Sequence, residues 1–365
     1  MDNATFNKIL AVGVNNGASD IHLKVGSPVL YRVNGKLIEA KSSILSPEIT
    51  KNIVTYIVKS KTLLDHLDEL QEHDSSYAVD GVGRFRVNIY KQRGSFALIL
   101  RVIPFEIPTF DSFELPEVIR KIAMEERGLI LVTGITGSGK TTTLAAMIDL
   151  INKSKKCHIL TVEDPIEFIH KNAKSSVSQR EIGLDTKNFA LALRAALRQD
   201  PDVILVGEMR DLETVDIALK AAETGHLVLS TVHTTDTTTT LARMISFFPP
   251  TEQGLTRIRL AENLKAVISQ RLLPKKEGEG RVVAAEIMIV TKTIEECIKD
   301  PDRTDNIKDF IEKSRLQYHM QSFDQHLIEL YNDGKITFET AKSAATNPSD
   351  FERAIMLDSA GGELS

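Results

Sequence analysis

Residues Gly128 to Ala145 read GLILVTGITGSGKTTTLA. The stretch opens with Leu129-Ile130-Leu131-Val132, an unbroken apolar run of the kind that a strand buried on both faces requires. Gly134-Ile135-Thr136-Gly137-Ser138-Gly139-Lys140-Thr141 follows and fits G-x-x-x-x-G-K-[ST] without a mismatch. Thr142 to Ile151 then reads as a helix, with Leu144, Met147, Ile148 and Ile151 at helical spacing. In such a loop the glycines let backbone N–H groups turn inward around phosphate oxygens, where a Cβ would obstruct the turn. The helix N-terminus adds partial positive charge. Lys140 reaches the β- and γ-phosphates and the Thr141 hydroxyl ligands Mg²⁺, while Gly134, Thr136, Gly137, Ser138, Gly139 and Thr142 complete the expected ATP contacts. A chance match in a Gly-rich strand-to-helix turn is the competing reading. The buried strand before the loop and the helix after it favour a nucleoside triphosphate site.

A phosphate loop needs partners from neighbouring strands, at the carboxyl ends where ligands sit in open α/β sheets. The chain offers three sets. Ile159-Leu160-Thr161-Val162 ends in Glu163-Asp164-Pro165, and a carboxylate at that edge is placed to activate water against the γ-phosphate. Its competing reading is a solvated acidic turn. Asp202-Val203-Ile204-Leu205-Val206-Gly207-Glu208 has the form of a Walker B strand. Its terminal Glu208 is longer than the usual Asp, which suits holding Mg²⁺ through a bound water. The plainer alternative is one more buried parallel strand. His226-Leu227-Val228-Leu229-Ser230-Thr231-Val232-His233 carries a histidine at each end. His233 is expected at the active edge as a γ-phosphate sensor, whereas His226 is expected to be structural.

Phosphoryl transfer also needs positive charge on the developing oxyanions, often from an arginine supplied in trans. Candidates lie outside the core, in Arg84-Phe85-Arg86-Val87-Asn88 and Leu100-Arg101-Val102. Arg84 and Arg86 share a strand face and Arg101 lies on the next strand. Arginines solvated on a sheet surface are the bland alternative.

The 365 residues, 26% charged and 42% apolar, describe an ordinary soluble chain long enough for two domains. A net charge of −5 argues against a strongly basic nucleic-acid surface. The start, MDNATFNKIL, has no signal-peptide pattern, and no apolar run reaches the roughly 18 residues of a membrane span. Cys157 and Cys297 form no C-x-x-C pair, so a reducing, cytoplasmic location without a zinc or disulfide framework is expected.

In chain order, a helix over 5–14 precedes strands at 20–25, 29–33 and 36–39, with Asn34-Gly35 as a hairpin turn. Ser46-Pro47 starts a helix. Helical pieces run to Leu70, and strands follow at 74–79, 83–90 and 95–103. This predicts a small α+β domain with an antiparallel sheet over residues 1–105. Pro104-Phe105-Glu106-Ile107-Pro108 opens a linker over 106–114. Alternating strands (129–133, 158–162, 203–206, 227–231, 282–289) and helices (near 145, 192, 217 and 260) predict a mainly parallel α/β core over 115–290. A helical extension over 291–365 closes the chain, with segments near 293–298, 304–314, 322–332, 337–344 and 349–356 and a frayed tail from Asp358. Thr237 to Thr240 is the sole low-complexity run and carries no reading.

Together these pieces resemble the hexameric secretion-type ATPases, specifically the PilT-like motors that retract type IV pili. The carriers are GASDIHL at 17–23, RFRVN at 84–88, the Walker A loop, EDPIE at 163–167, VGEMRD at 206–211, and Gly225 to Thr235. Met320 to Leu327 is similar as well. The resemblance implies a RecA-like P-loop ATPase domain behind an N-terminal PAS-like domain, and a homo-hexameric ring. It implies Glu163 as general base, Glu208 holding Mg²⁺, His233 monitoring the γ-phosphate, and Arg86 and Arg101 reaching nucleotide, with Arg84 a weaker candidate. It further implies a cytoplasmic motor held at the inner membrane by the platform protein of the pilus machine, with residues 104–114 as a hinge and no nucleic-acid partner. The absence of a tetracysteine site favours the retraction branch, but Thr293 to Ile298 is acidic where that branch carries an arginine-bearing helix. An accessory paralogue, a nucleotide-dependent assembly or regulatory protein of the pilus or type II secretion machinery, and a RecA-type nucleic-acid motor are the rival readings.

Overall fold

The computed structural model describes residues 1–103, 107, 109–278 and 280–361. Pro104, Phe105, Glu106 and Pro108 of the expected linker, and the last four residues of the expected frayed tail, therefore lie outside the described residues. The chain divides into two compact units, Met1–Glu106 with Pro165–Ile169, and Ile107–Asp164 with His170–Ser365.

The first unit contains α1 (Asn3–Asn15), β1 (Asp20–Leu23), β2 (Leu30–Val33), β3 (Lys36–Glu39), α2 (Pro47–Ile57), α3 (Lys61–Asp65), β4 (Glu72–Val79), β5 (Gly83–Gln92) and β6 (Ser95–Ile103). The strands form one antiparallel sheet in the order β3-β2-β1-β6-β5-β4. Asn34 and Gly35 both take positive φ, which is what a two-residue hairpin turn between β2 and β3 demands. Ser46 accepts from the Ile49 N–H and Pro47 opens α2, as the N-terminal signal predicts. Period-two alternation decides the faces. Ile21, Leu23, Phe85, Val87, Ile89, Leu98 and Leu100 bury against Phe6 and Leu10 of α1 and Ile53, Val54 and Ile57 of α2. Gly13 of α1 sits so close to the sheet that a Cβ there would lie 2.8 Å from Ile21 and 2.9 Å from Tyr31. The opposite face carries the polar residues, including Arg86 and Arg101.

The second unit begins with α4 (Val118–Ala123) and then alternates: β7 (Gly128–Thr133), α5 (Lys140–Ser154), β8 (His158–Glu163), β9 (Ser176–Glu181), α6 (Phe189–Ala196), β10 (Val203–Val206), α7 (Leu212–Glu223), β11 (Leu227–Val232), α8 (Thr237–Ser246), α9 (Gln253–Asn263), β12 (Leu264–Pro274) and β13 (Arg281–Ile289). The sheet order is β13-β12-β7-β11-β10-β8-β9, parallel throughout except for β13. Alternate residues of β7 serve two cores. Leu129 and Leu131 face the side covered by α6, α7, α8 and α9, while Ile130 and Val132 face α4 and α5. A strand covered on both sides has no polar face, which is why its sequence reads as a continuous apolar run.

Several elements lie outside the sequence expectations, among them α4, β9, β12 and α8. Strand β9 is a short polar edge, and β12 has Ser269-Gln270-Arg271 breaking its apolar run. The Thr237–Thr240 run is not featureless; it is the first turn of α8, capped by Asp236, whose side chain accepts from the Thr239 N–H. Helix α8 forms despite modest threonine propensity because Glu286, buried on β13, also accepts from the Thr237 N–H and hydroxyl, both at 2.8 Å. Burial raises the Glu286 carboxyl above its usual range, against the opposing pull of these two donors.

Beyond β13 come α10 (Lys292–Lys299), α11 (Ile307–Lys313), α12 (Arg315–Tyr318), α13 (Phe323–Asn332), α14 (Phe338–Ala344) and α15 (Pro348–Gly361). Helix α15 therefore includes Asp358 to Gly361, expected to fray. The acidic stretch at 293–298 is an amphipathic helix. Its Ile294, Cys297 and Ile298 are fully buried, and Glu295 is bracketed by Lys292 at 2.7 Å and Lys299 at 2.8 Å. Among the described residues no helix is long and apolar enough to cross a membrane, both cysteines are free, and no cluster of three potential metal ligands forms.

Residues 320–326 close the outer edge of β13. Ile287 exchanges backbone hydrogen bonds with Gln321, the Gln321 side chain donates to the Ala285 carbonyl at 2.9 Å, and the Ala285 N–H donates to Nδ1 of His326 at 2.9 Å. Only a ring nitrogen without a proton accepts that bond. Burial, reinforced by the nearby Arg315, pushes the His326 imidazole down to about 4. Because this folded value lies below the unfolded one of about 6.5, the unfolded chain binds more protons between the two. The stabilisation is complete above about pH 6.5 and is lost as pH falls toward 4. The unfolding midpoint should therefore drop over that window, and His326→Asn, which keeps an acceptor but does not titrate, should flatten part of the slope. Identical slopes in the two proteins would exclude His326 as a source.

Candidate functional site

Strands β7, β8, β10 and β11 run parallel, so the residues after their last members emerge at one edge of the sheet. Strand β11 lies between the phosphate-loop strand and the strand leading to Glu208. That edge gathers Gly134–Thr141, Glu163, Glu208 and His233.

The loop leaves β7 at Gly134, whose φ is 145°. A Cβ there would lie 2.4 Å from Ser138 Oγ and 2.5 Å from the Gln270 carbonyl oxygen, so no side chain fits. Gly137 and Gly139 also take positive φ, and Gly139 is the N-cap of α5. Lys140 is buried, and its ammonium donates to the Gly134 and Ile135 carbonyls at 2.9 and 3.0 Å. The loop thus curls around its own lysine. Thr141 and Thr142 occupy the first turn of α5 and are half-buried, whereas Thr136 and Gly137 are exposed. Ser138 Oγ is buried and makes no hydrogen bond among the described residues, which leaves a polar atom in the loop for an oxygen-rich ligand.

Beneath the loop, Thr133 and Ser269 share a hydroxyl hydrogen bond at 2.8 Å, and Gln270 meets Thr143 at 2.8 Å. Thr240 shares a 2.7 Å bond with Thr234, directly after His233, and donates to the Asp236 carbonyl. These residues tie the loop to β12 and to the start of α8. None was singled out from sequence, because isolated serines and threonines within strands carry no distinctive pattern.

Glu163 is buried at the end of β8, while Asp164 beside it is exposed. The Thr161 hydroxyl donates to Glu163 Oε1 at 2.6 Å, and Gln179 Nε2 donates to the same oxygen at 3.1 Å. Gly207 allows the neighbouring strand end to come close: its N–H donates to the Val162 carbonyl at 2.8 Å, and a Cβ on it would sit 3.2 Å from that oxygen. Glu163 and Glu208 consequently leave adjacent strand ends.

Glu208 is buried and paired twice through Oε2, to Arg210 Nε at 2.6 Å and to His233 Nε2 at 3.4 Å. Partial burial and the Lys140 charge lower the His233 imidazole, outweighing the opposing pull of Glu208. The structure thus brings Lys140, Glu208 and His233 into one electrostatic neighbourhood. Arg210 joins them without having been anticipated, although its i+2 spacing from Glu208 was available as a signal. His226 stands apart as a structural residue. Its Nδ1 donates to the Ala221 carbonyl at 2.9 Å and closes the end of α7.

Arg86 and Arg101 belong to the first unit, where they are cross-strand partners on β5 and β6. Arg86 is exposed. Arg101 is 70% exposed and its Nε donates to Asp20 at 3.0 Å. Burial of Asp20 works against its ionisation, but the Ser19 hydroxyl and Arg101 outweigh it and hold the carboxyl below its usual range. Arg84 donates to Ser76 Oγ at 3.0 Å.

Two oxygen donors at this edge, the Thr141 hydroxyl and the Glu208 carboxylate, suit Mg²⁺. It binds few protein oxygens directly and keeps waters or phosphate oxygens in its remaining positions. The orphaned Ser138 hydroxyl and the Gly134 cradle suit the phosphates such an ion accompanies.

Similarity to known proteins extends over nearly the whole chain. The type II/IV secretion system protein family matches residues 3–339. The type IV pilus retraction ATPase PilT of Pseudomonas aeruginosa is 44% identical over 344 residues, spanning 94% of this chain and 99% of that protein. The type IV pilus ATPase PilU of the same organism is 40% identical over 356 residues, spanning 97% and 92%. Among solved structures, that of the pilus retraction motor PilT with bound ADP superposes with a TM-score of 0.87 at 45% identity, covering 95% of this chain and 98% of that one. With this α/β architecture, this loop and relatives aligned over nearly their whole length, the chain belongs to the type II/IV secretion system protein family.

Proposed function

We propose that this chain is the ATPase of a ring motor that retracts a type IV pilus. The observation that carries the reading is the gathering, at one edge of a parallel sheet, of a phosphate loop, a Glu208–His233 pair and the buried Glu163 carboxylate on the strand beyond. A module that only bound nucleotide would need the loop alone.

In this reading the loop amides and the α5 N-terminus hold the triphosphate, and Lys140 exchanges its two loop carbonyls for phosphate oxygens. Thr141 and Glu208 would hold Mg²⁺, Glu208 through water; the ion, when bound, neutralises charge developing on the phosphates. Glu163 accepts a proton from the attacking water. His233, whose imidazole is lowered by partial burial and the Lys140 charge, reports on the γ-phosphate through its contact with Glu208. Arg86 and Arg101 act from the N-terminal domain (residues 1–105) on a neighbouring subunit's nucleotide, which requires a homo-oligomeric ring, proposed as a hexamer. The stretch 104–114, which includes the linker 106–114, serves as the hinge between this domain and the ATPase core (115–290), and 291–365 forms a helical extension. The ring works at the cytoplasmic side of the inner membrane on the platform protein of the pilus machine, without a nucleic-acid partner.

A second reading, an accessory retraction ATPase, rests on one observation. Identities of 44% to PilT and 40% to PilU are too close to assign the branch. Deleting the gene and measuring pilus retraction separates the two: lost retraction supports the primary motor, and retained retraction supports the accessory role.

Glu163→Gln should lower steady-state phosphate release by about 10²–10⁴-fold while leaving Mg-ATP affinity within a few-fold, as expected for loss of a general base. An unchanged rate would refute the assignment. Lys140→Ala should abolish tight Mg-ATP binding in a nucleotide titration. Gly134→Ala should do the same and also lower the melting temperature, since the added methyl meets the backbone of β12. Arg86→Ala should reduce turnover more than affinity, and mixing it with Glu163→Gln subunits should restore part of the rate. Absence of any recovery would remove the support for sites shared between subunits.

A further inference from the structure

The role of β9, a polar edge strand with no part in the reading above, follows from its register. It pairs parallel with β8 and sets Gln179 opposite Thr161. Gln179 Nε2 donates to Glu163 Oε1 at 3.1 Å, and Gln179 Oε1 accepts from the backbone N–H of His170 at 2.8 Å. The two ends of the amide are thereby matched to groups of opposite kind. A carboxylate only accepts and a backbone N–H only donates, so this orientation of the amide is the one that satisfies both. The Thr161 hydroxyl, fully buried, donates to the same Glu163 oxygen at 2.6 Å.

We propose that Gln179 is a positioning residue for the ATPase reaction: held by the His170 backbone, it acts with Thr161 to pin one oxygen of Glu163 and so fixes the rotation of its carboxylate. The inference rests on the reading of Glu163 as the general base. Two donors converging on Oε1 determine where Oε2 points, and general-base catalysis depends on that direction because the proton transfer needs an aligned hydrogen bond. The chemistry of the donors fits this task. A lysine or arginine in place of Gln179 would stabilise the ionised carboxylate strongly and weaken it as a base. A neutral amide and a hydroxyl orient it without adding a charge.

The test uses the full-length protein and compares kcat and KM for ATP in Gln179→Leu, Glu163→Gln and the double variant, with single-turnover phosphate release for the slow ones. Gln179→Leu should lower kcat about 10-fold, with KM within about twofold. In the Glu163→Gln background it should cause no further loss, because a residue acting through Glu163 has nothing left to position. An equal fall in both backgrounds would mark a structural role and overturn the inference. A wild-type rate in Gln179→Leu alongside a collapsed rate in Glu163→Gln would overturn the positioning role alone. A wild-type rate in Glu163→Gln would overturn the base and the positioning role together. Should Gln179→Leu fail to fold, the pair Thr161→Val and Thr161→Ser reads the same oxygen. The serine variant should recover most of the rate lost in the valine variant, and equal losses in both would count against pinning.

Discussion

The candidate site depends on one close approach, the contact of Gly134 with the backbone of β12 at Gln270. Nothing larger than hydrogen fits between them, so the loop path and the position of β12 are set together. Strand β12 cannot drift, because it is paired to β7 on one side and β13 on the other. The outer edge of β13 is in turn capped by Gln321 and His326. Packing and hydrogen bonding thus run without a break from the first residue of the phosphate loop to the C-terminal helices. The path of the loop and the stability of the far sheet edge are parts of one problem.

Legibility in the sequence followed burial. Strands β7, β10 and β11 are covered on both faces, so they appear as apolar runs. The residues after them change character abruptly, from Val132 to the Gly-rich loop, from Val206 to Gly207-Glu208, and from Val232 to His233. Any reader of hydrophobic pattern finds those positions. Strand β9 was not legible because an edge strand is half solvated and the polar Ser176–Glu181 imitates a loop. Strand β12 was missed because Ser269 and Gln270 turn toward hydroxyl and amide partners that are distant in sequence, Thr133 and Thr143. Helix α8 was missed because its opening threonines are weak helix formers, and the groups holding them, Asp236 and Glu286, stand at its end and on another strand. What escaped was the set of residues whose role is to hold other residues, since such a role is defined by a partner in space.

The first unit solves a different problem, that of keeping arginines together on one face. Arg32, Asp20, Arg101 and Arg86 fall on one row across β2, β1, β6 and β5 through the cross-strand register. Like charges facing one another across a sheet repel. A single carboxylate seated between two of the arginines, kept ionised by Ser19 and Arg101, offsets part of that repulsion. The opposite face, filled with Phe85, Val87, Leu98 and Leu100, supplies the burial that holds the row in register.

The hydroxyl pairs beneath the phosphate loop have a further consequence. In Thr133 with Ser269 either oxygen is able to donate, whereas Thr240, which gives its hydrogen to the Asp236 carbonyl, accepts from Thr234. A hydroxyl reverses its polarity by rotating one hydrogen, with every heavy atom left in place. The floor of the loop therefore carries a dipole whose sense is not fixed by the heavy atoms around it. A dipole of that kind reverses without any movement of the backbone, so the polarity of the floor and the stiffness of the sheet are separate properties of the same few residues.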